Sequence, residues 1–259
     1  MTMRRYAFFL AIFAFALFCS AGFAEEQNPG AIFKSAASFY EKGEYDKAIK
    51  EYGKLAERGL ESGNLYYNIG NCYFKKGKLG MAILNYERAK RLMPRDSDLA
   101  SNYEYARSLV KGQSGIRAPF YKRMMNRFAG QFTLNGLTVF LSGVYILIVS
   151  ALIASIFFAS LRRYLVVLIL PLLIIAVASA VCLTDKIRFL DKSAVVISDK
   201  TDARFAPFRS ATTYFTLYEG MEAEVIAGKE EWRKIRRADG KTGWVKSEDL
   251  APVSKWILP

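Results

Sequence analysis

The arrangement most able to do chemistry in this 259-residue chain is Asn71, with Tyr67 four residues before it and Lys75 four residues after. In a helix that spacing puts all three side chains on one face. An amide donates and accepts hydrogen bonds, a phenol does both and an ammonium only donates, so the set suits another chain's backbone or carboxylate. That is recognition chemistry. For catalysis the sequence offers little: it has no histidine, which removes Ser/His and Cys/His nucleophile pairs, histidine general bases and histidine metal ligands. Its three cysteines, Cys19, Cys72 and Cys182, fall in an apolar leader, a predicted helix and a predicted membrane segment, with neither metal spacing nor a disulfide framework. The expectation is a non-enzymatic protein without metal or cofactor.

The helix that carries Asn71 is part of a repeat. Aligning Ala48 with Ala82 also superposes Phe39 on Tyr73, Gly43 on Gly77, Tyr45 on Leu79, Ile49 on Ile83 and Tyr52 on Tyr86. This resembles the tetratricopeptide repeat in period and in its small/aromatic pattern. The copy at 63–96 is the fuller match, with Tyr66, Ile69, Gly70, Tyr73, Ala82, Tyr86, Ala89 and Pro94 on signature positions. The copy at 29–62 has Ala36 where the central glycine belongs and no terminal proline. One repeat cannot bury its apolar face alone, and a helix over Ser97–Val110 can close the array. Residues 25–111 are therefore expected to form five helices. The resemblance implies a concave groove lined by Asn64, Tyr67, Asn71, Phe74 and Lys75, completed by Asn102 and Tyr105. Phe39, Tyr45, Tyr52, Tyr73 and Tyr86 are read as packing residues.

Beyond the array, Leu134–Leu161 and Leu165–Leu183 hold no charged residue, and Arg162 and Arg163 stand between them. A bilayer core of roughly 30 Å needs about 20 apolar helical residues, so each run can span it once. The pair reads as a transmembrane hairpin; the alternative is a buried helical hairpin in a soluble core. Pro171 should kink the second helix. A stripe of Ser150, Ala154 and Ser155 suits either close helix packing or a lipid-facing surface. Neither span offers a charged group for transport or proton relay.

The formal net charge of +13 is concentrated near this hairpin. Residues 105–184 carry eight basic side chains and no acidic one, whereas 25–104 and 185–259 are nearly balanced. Such a distribution suits anionic head groups and not nucleic acid. The N-terminus has Arg4 and Arg5, an apolar run from Ala7 to Phe18 and small residues around Ala21, Gly22 and Ala24. That is the plan of a signal peptide over 1–24, cleaved after Ala24. A lipoprotein anchored through Cys19 fits less well, since Phe18 is bulky. An export signal followed by two crossings puts both soluble domains outside the cytoplasm. The basic linker over 112–133, with Lys122, Arg123 and Arg127, pulls the other way by the positive-inside rule.

After Asp185 the pattern changes to short apolar runs at Ala194–Ile197, Tyr214–Leu217, Ala223–Ile226, Trp232–Ile235 and Gly243–Val245, separated by glycine turns. These predict a small all-β barrel over 186–259. Ala206-Pro207, Glu219-Gly220, Trp232 through Ile235 and Asp239-Gly240 followed by Gly243-Trp244-Val245 resemble a bacterial Src-homology-3-like domain. Trp232 and Trp244 are candidates for its core, its ligand surface, or both.

The fold class expected is thus a multidomain membrane protein: an all-α repeat array, a two-helix transmembrane hairpin and a small all-β barrel. This order, with Leu65 to Asn71 and Ala82 to Ala89 carrying the match, resembles the BatE family of Bacteroides aerotolerance operons. The resemblance implies an extracytoplasmic adaptor in the inner membrane, working with other Bat proteins, among them membrane proteins with von Willebrand factor A domains. The second function considered is an envelope tether or sensor whose barrel binds peptidoglycan.

Overall fold

The computed structural model describes residues 28–112, 130–158 and 162–254, together with residues 120 and 160. The signal peptide expected over 1–24 and the linker residues Lys122, Arg123 and Arg127 lie outside these. Five helices come first: α1 Pro29–Glu41, α2 Tyr45–Glu57, α3 Gly63–Lys75, α4 Leu79–Leu92 and α5 Ser97–Ser108. Their starts follow local chemistry. The Asn28 side chain accepts from the Gly30 N–H with Pro29 at the first helical position, Ser62 accepts from Leu65, and Asp96 accepts from Leu99. Gly43 and Gly77, equivalent in the two copies, both turn the chain at positive φ, 76° and 71°, which glycine adopts without a Cβ penalty. At Gly70 the absence of a side chain has another use: a Cβ there would lie 2.7 Å from the Tyr86 ring. Ala36, in the first copy, is fully buried at the corresponding place.

Two long helices follow, α6 Leu134–Phe157 and α7 Arg162–Lys192. Both are long and apolar enough to cross a membrane. None of the apolar window of α7 is buried, whereas a core helix of a soluble domain would be mostly covered. They pair along Leu137, Val144, Ile148 and Ala151, a seam with near-heptad spacing. Ser150 is exposed off this seam, while Ala154 and Ser155 are half-buried. The two far ends meet at the folded body, where the Lys186 ammonium donates to the Phe132 carbonyl. Helix α7 continues past Leu183 and leads directly into the first strand.

Seven strands complete the chain: β1 Ser193–Val196, β2 Lys200–Arg204, β3 Thr213–Tyr218, β4 Glu222–Lys229, β5 Trp232–Arg236, β6 Thr242–Lys246 and β7 Leu250–Pro252. They form one antiparallel sheet in the order β3-β2-β6-β5-β4-β1-β7. The expected barrel is corrected here to an open sheet, since no ladder joins β3 to β7 among the described residues. Pro252 in β7 cannot donate to a further strand, as suits an edge. Each of the five predicted runs falls on a strand. Strand β2 escapes composition because Lys200, Asp202 and Arg204 alternate with only Thr201 and Ala203 facing inward. It crosses β6 closely at Gly243, where an added Cβ would be 2.9 Å from that of Ala203.

The sequence suggests two soluble domains joined only by their membrane tether, but the array and the sheet share one apolar core. Gly80 of α4 lies so close to β1 that an added Cβ would be 2.5 Å from the Val196 carbonyl, and its N–H donates to Glu219 Oε1 at 2.8 Å. Gly220, at φ 83°, approaches Ile83 and Val110 in the same way. Arg88, 3 % exposed, reaches across with Nε to the Val253 carbonyl at 3.2 Å and Nη2 to the Pro252 carbonyl at 3.1 Å. Burial lowers its pKa to about 10, so it still carries its charge at neutral pH.

A second polar contact joins α5 to β4. The Tyr103 hydroxyl lies against Glu87 and, at 2.8 Å, against Glu222 Oε1, while Arg107 Nε is 3.3 Å from the same Glu222 oxygen. One phenolic hydrogen serves one acceptor, so both contacts persist only when one carboxyl keeps its proton. Burial and the charge of Glu87 raise the Glu222 pKa, and Arg107 opposes them. A carboxyl whose folded pKa is raised adds stability at low pH that is lost as pH rises through the folded value. Chemical denaturation of the detergent-solubilised chain should therefore show stability falling as pH rises from about 4.5. Glu222→Gln should flatten that slope; an unchanged slope would remove Glu222 as its origin.

Candidate functional site

The side chains expected to line a groove come from α3 and α5, with Tyr86 of α4 behind them. Asn71 Oδ1 accepts from the Tyr86 hydroxyl at 2.7 Å and from Asn102 Nδ2 at 3.2 Å. The same Asn102 amide donates to the Tyr67 hydroxyl at 2.7 Å. Three side chains proposed from the sequence thus come together through one network, and the two donors onto Oδ1 set the orientation of the Asn71 amide. Its Nδ2 group and the Tyr67 O–H hydrogen have no acceptor among the described residues, leaving donors available for a carbonyl or carboxylate. Phe74 and Tyr105 meet at a tilt of 56° with ring centroids 5.7 Å apart, Tyr105 being 59 % exposed. Lys75 is exposed one turn from Asn71, without an ion pair to a described residue, so its charge is open to an acidic partner. Asn64 is exposed on the first turn of α3 and joins none of these contacts.

Tyr86 belongs to the network, although its place in the repeat marks it only as packing. Its ring fills the space above Gly70, and burial pushes its hydroxyl up from the ordinary phenol value. The hydroxyl therefore stays protonated and donates to Asn71. The signal was in the sequence only as spacing: Tyr86 lies on the helix paired with α3, one repeat after Tyr52. Cys72 is buried behind the groove, and burial pushes its thiol up to about 12, which makes it a poor nucleophile.

On the sheet, Trp232 is buried and unavailable to a ligand, and Trp244 is half-buried opposite Arg204. The exposed aromatic surface lies elsewhere. Phe205 and Tyr214 stack at 4.6 Å, Tyr214 meets Phe215 at 5.4 Å, and Phe208 is exposed in the same β2–β3 connection. Two cations border it: Arg237 lies 4.8 Å over Phe215, held by a bidentate bond to Asp239, and Lys241 lies 5.8 Å over Tyr214. Sequence reasoning passed over these aromatics because a strand pattern assigns every second residue inward; only the fold shows which side of β3 the rest of the sheet leaves open.

Residues 63–96 match the model of the tetratricopeptide repeat, and residues 203–252 match that of the bacterial SH3 domain. No curated protein is similar enough to the chain to count as a relative. The first match contains Asn64, Tyr67, Asn71, Phe74 and Lys75. The second runs from the end of β2 to β7 and leaves β1, the strand against α4, outside it. A tetratricopeptide repeat points to protein–protein interaction, and a bacterial SH3 domain to a cell-wall-binding role. Tyr86→Phe should keep the ring packing and remove one donor to Asn71. A loss of about 0.5–1.5 kcal/mol in denaturation experiments is expected, and a neutral effect would mean the network does not hold Asn71 in place.

Proposed function

We propose that the chain is a membrane-anchored adaptor, working by binding and not by catalysis, whose repeat groove holds a segment of a partner protein. The observation that carries this reading is the Tyr67–Asn71–Asn102 network, with donors left over for a carbonyl or carboxylate, beside a tilted aromatic pair and Lys75. An acidic or C-terminal segment would suit it. In the BatE resemblance, the partners would be other Bat proteins of an envelope complex, including von Willebrand factor A domain membrane proteins, with a role in aerotolerance or stress resistance. The chain would sit in the inner membrane by α6 and α7, with both soluble domains extracytoplasmic. The contact between array and sheet supports one shared side, because domains that share a core cannot be separated by a bilayer.

A second reading, an envelope tether or sensor that binds peptidoglycan, is favoured by the Phe205–Tyr214 surface, since aromatic faces bordered by cations suit sugar rings carrying carboxylates. Pull-down from detergent-solubilised membranes separates the two. Asn71→Ala with Lys75→Glu should weaken partner recovery by about 1–3 kcal/mol in a folded protein and leave sedimentation with purified cell wall unchanged. Full recovery would move the interaction off the groove, and wall binding lost in Phe205→Ala/Tyr214→Ala would favour the tether.

Topology has its own test. Protease added to spheroplasts should digest array and sheet together. An intact sheet protected inside after the array is cut would overturn the hairpin.

A further inference from the structure

At the foot of the helix pair, the α4–α5 connection meets the start of α6 across an open cavity of about 470 Å³. Arg95 lies along its wall: Nε donates to the Gln131 carbonyl at 3.1 Å, and the guanidinium sits 5.5 Å over the Phe132 ring. Its Nη groups have no acceptor among the described residues. Asp96, the acid in the wall, is engaged at the start of α5, accepting from the Leu99 N–H at 2.8 Å. From the end of α7, Lys186 donates to the Phe132 carbonyl and lies near enough to Lys90 and Arg91 for their charges to act on it. Arg95 is thus the cation of the wall, with Lys186 bonded beside it at Phe132, and the single carboxylate of the wall is already used.

The position narrows the ligand. Thr133 and Gly136 complete the wall, so the cavity opens onto the first turn of an exposed apolar helix. With α6 and α7 in a bilayer, that is the level of the head groups. Guanidinium N–H groups match phosphate oxygens in geometry and charge, while Met93, Pro94 and Phe132 supply apolar surface beside them. A free anion would use only the guanidinium; a phospholipid would use both, its phosphate at Arg95 and its acyl chains along α6. We infer that this cavity is a binding site for the head group of an anionic membrane phospholipid. The inference rests on reading α6 and α7 as membrane-spanning.

The test uses the full chain in detergent, titrated with phosphatidylglycerol or phosphatidylcholine and followed by native mass spectrometry and thermal melting. Phosphatidylglycerol should be retained and should raise the Tm, and phosphatidylcholine should do neither. Arg95→Gln should weaken phosphatidylglycerol binding about fivefold, as expected for one basic residue at a membrane surface, with Arg95→Lys intermediate and Lys50→Gln on the far array unchanged. Equal retention by wild type and Arg95→Gln would overturn the site. Equal stabilisation by glycerol 3-phosphate would make it a free-anion site and overturn the lipid assignment. Alkaline carbonate extraction separates the premise: release of the chain from membranes would overturn the anchor itself, whereas a chain that stays in the membrane without preferring phosphatidylglycerol would overturn the head-group site alone.

Discussion

Helix α4 has to satisfy neighbours on opposite sides, and most of the structure follows from that. Towards α3 it presents Ala82, Tyr86 and Ala89; towards the sheet it presents Gly80, Ile83 and Arg88. Two helix pairs are few for an array in which each unit relies on the next to cover its apolar face. Here the sheet covers what a further helix pair would otherwise cover, so the array and the sheet have become one body. The close approach depends on absent side chains at Gly80 and Gly220, and its polar groups are served by Arg88, which donates to the Pro252 and Val253 carbonyls, the latter shared with Arg91.

Helix α5 carries the consequence to the groove. Tyr103 and Arg107 on one side reach Glu222 of the sheet, while Asn102 and Tyr105 on the other join Asn71 and Phe74. A segment seated in the groove would therefore touch the helix that also holds the sheet.

The pair of long apolar helices closes the arrangement from the other end. Helix α7 runs without a linker into β1, and β1 is the strand against α4, so the sheet is attached both by its chain and by its core. Lys186 at the Phe132 carbonyl brings the start of α6 alongside. The array and the sheet are therefore joined to the helix pair both through the chain and through this contact.

Periodicity and local chemistry were enough for much of this. The repeat was legible because Gly43 and Gly77 need positive φ at the same point of each copy, and Gly70 and Ala82 need small size. The apolar helices were legible because two uncharged runs of that length have few other uses. Asn71 with Tyr67 and Asn102 was legible because helical spacing and repeat geometry place them together. What the tertiary structure decided are the contacts between segments far apart in sequence. Nothing local to Lys200–Arg204 marks it as a strand; it becomes one because β3 and β6 offer it partners. Nothing in Arg88 or Glu222 announces an interface, since a charged residue ordinarily favours solvent and only a specific partner makes its burial tolerable. The openness of the sheet and the aromatic face at Phe205 and Tyr214 belong to the same class. Sequence pattern says that a side chain is apolar, but which apolar side chains remain exposed depends on what the rest of the chain brings to cover them.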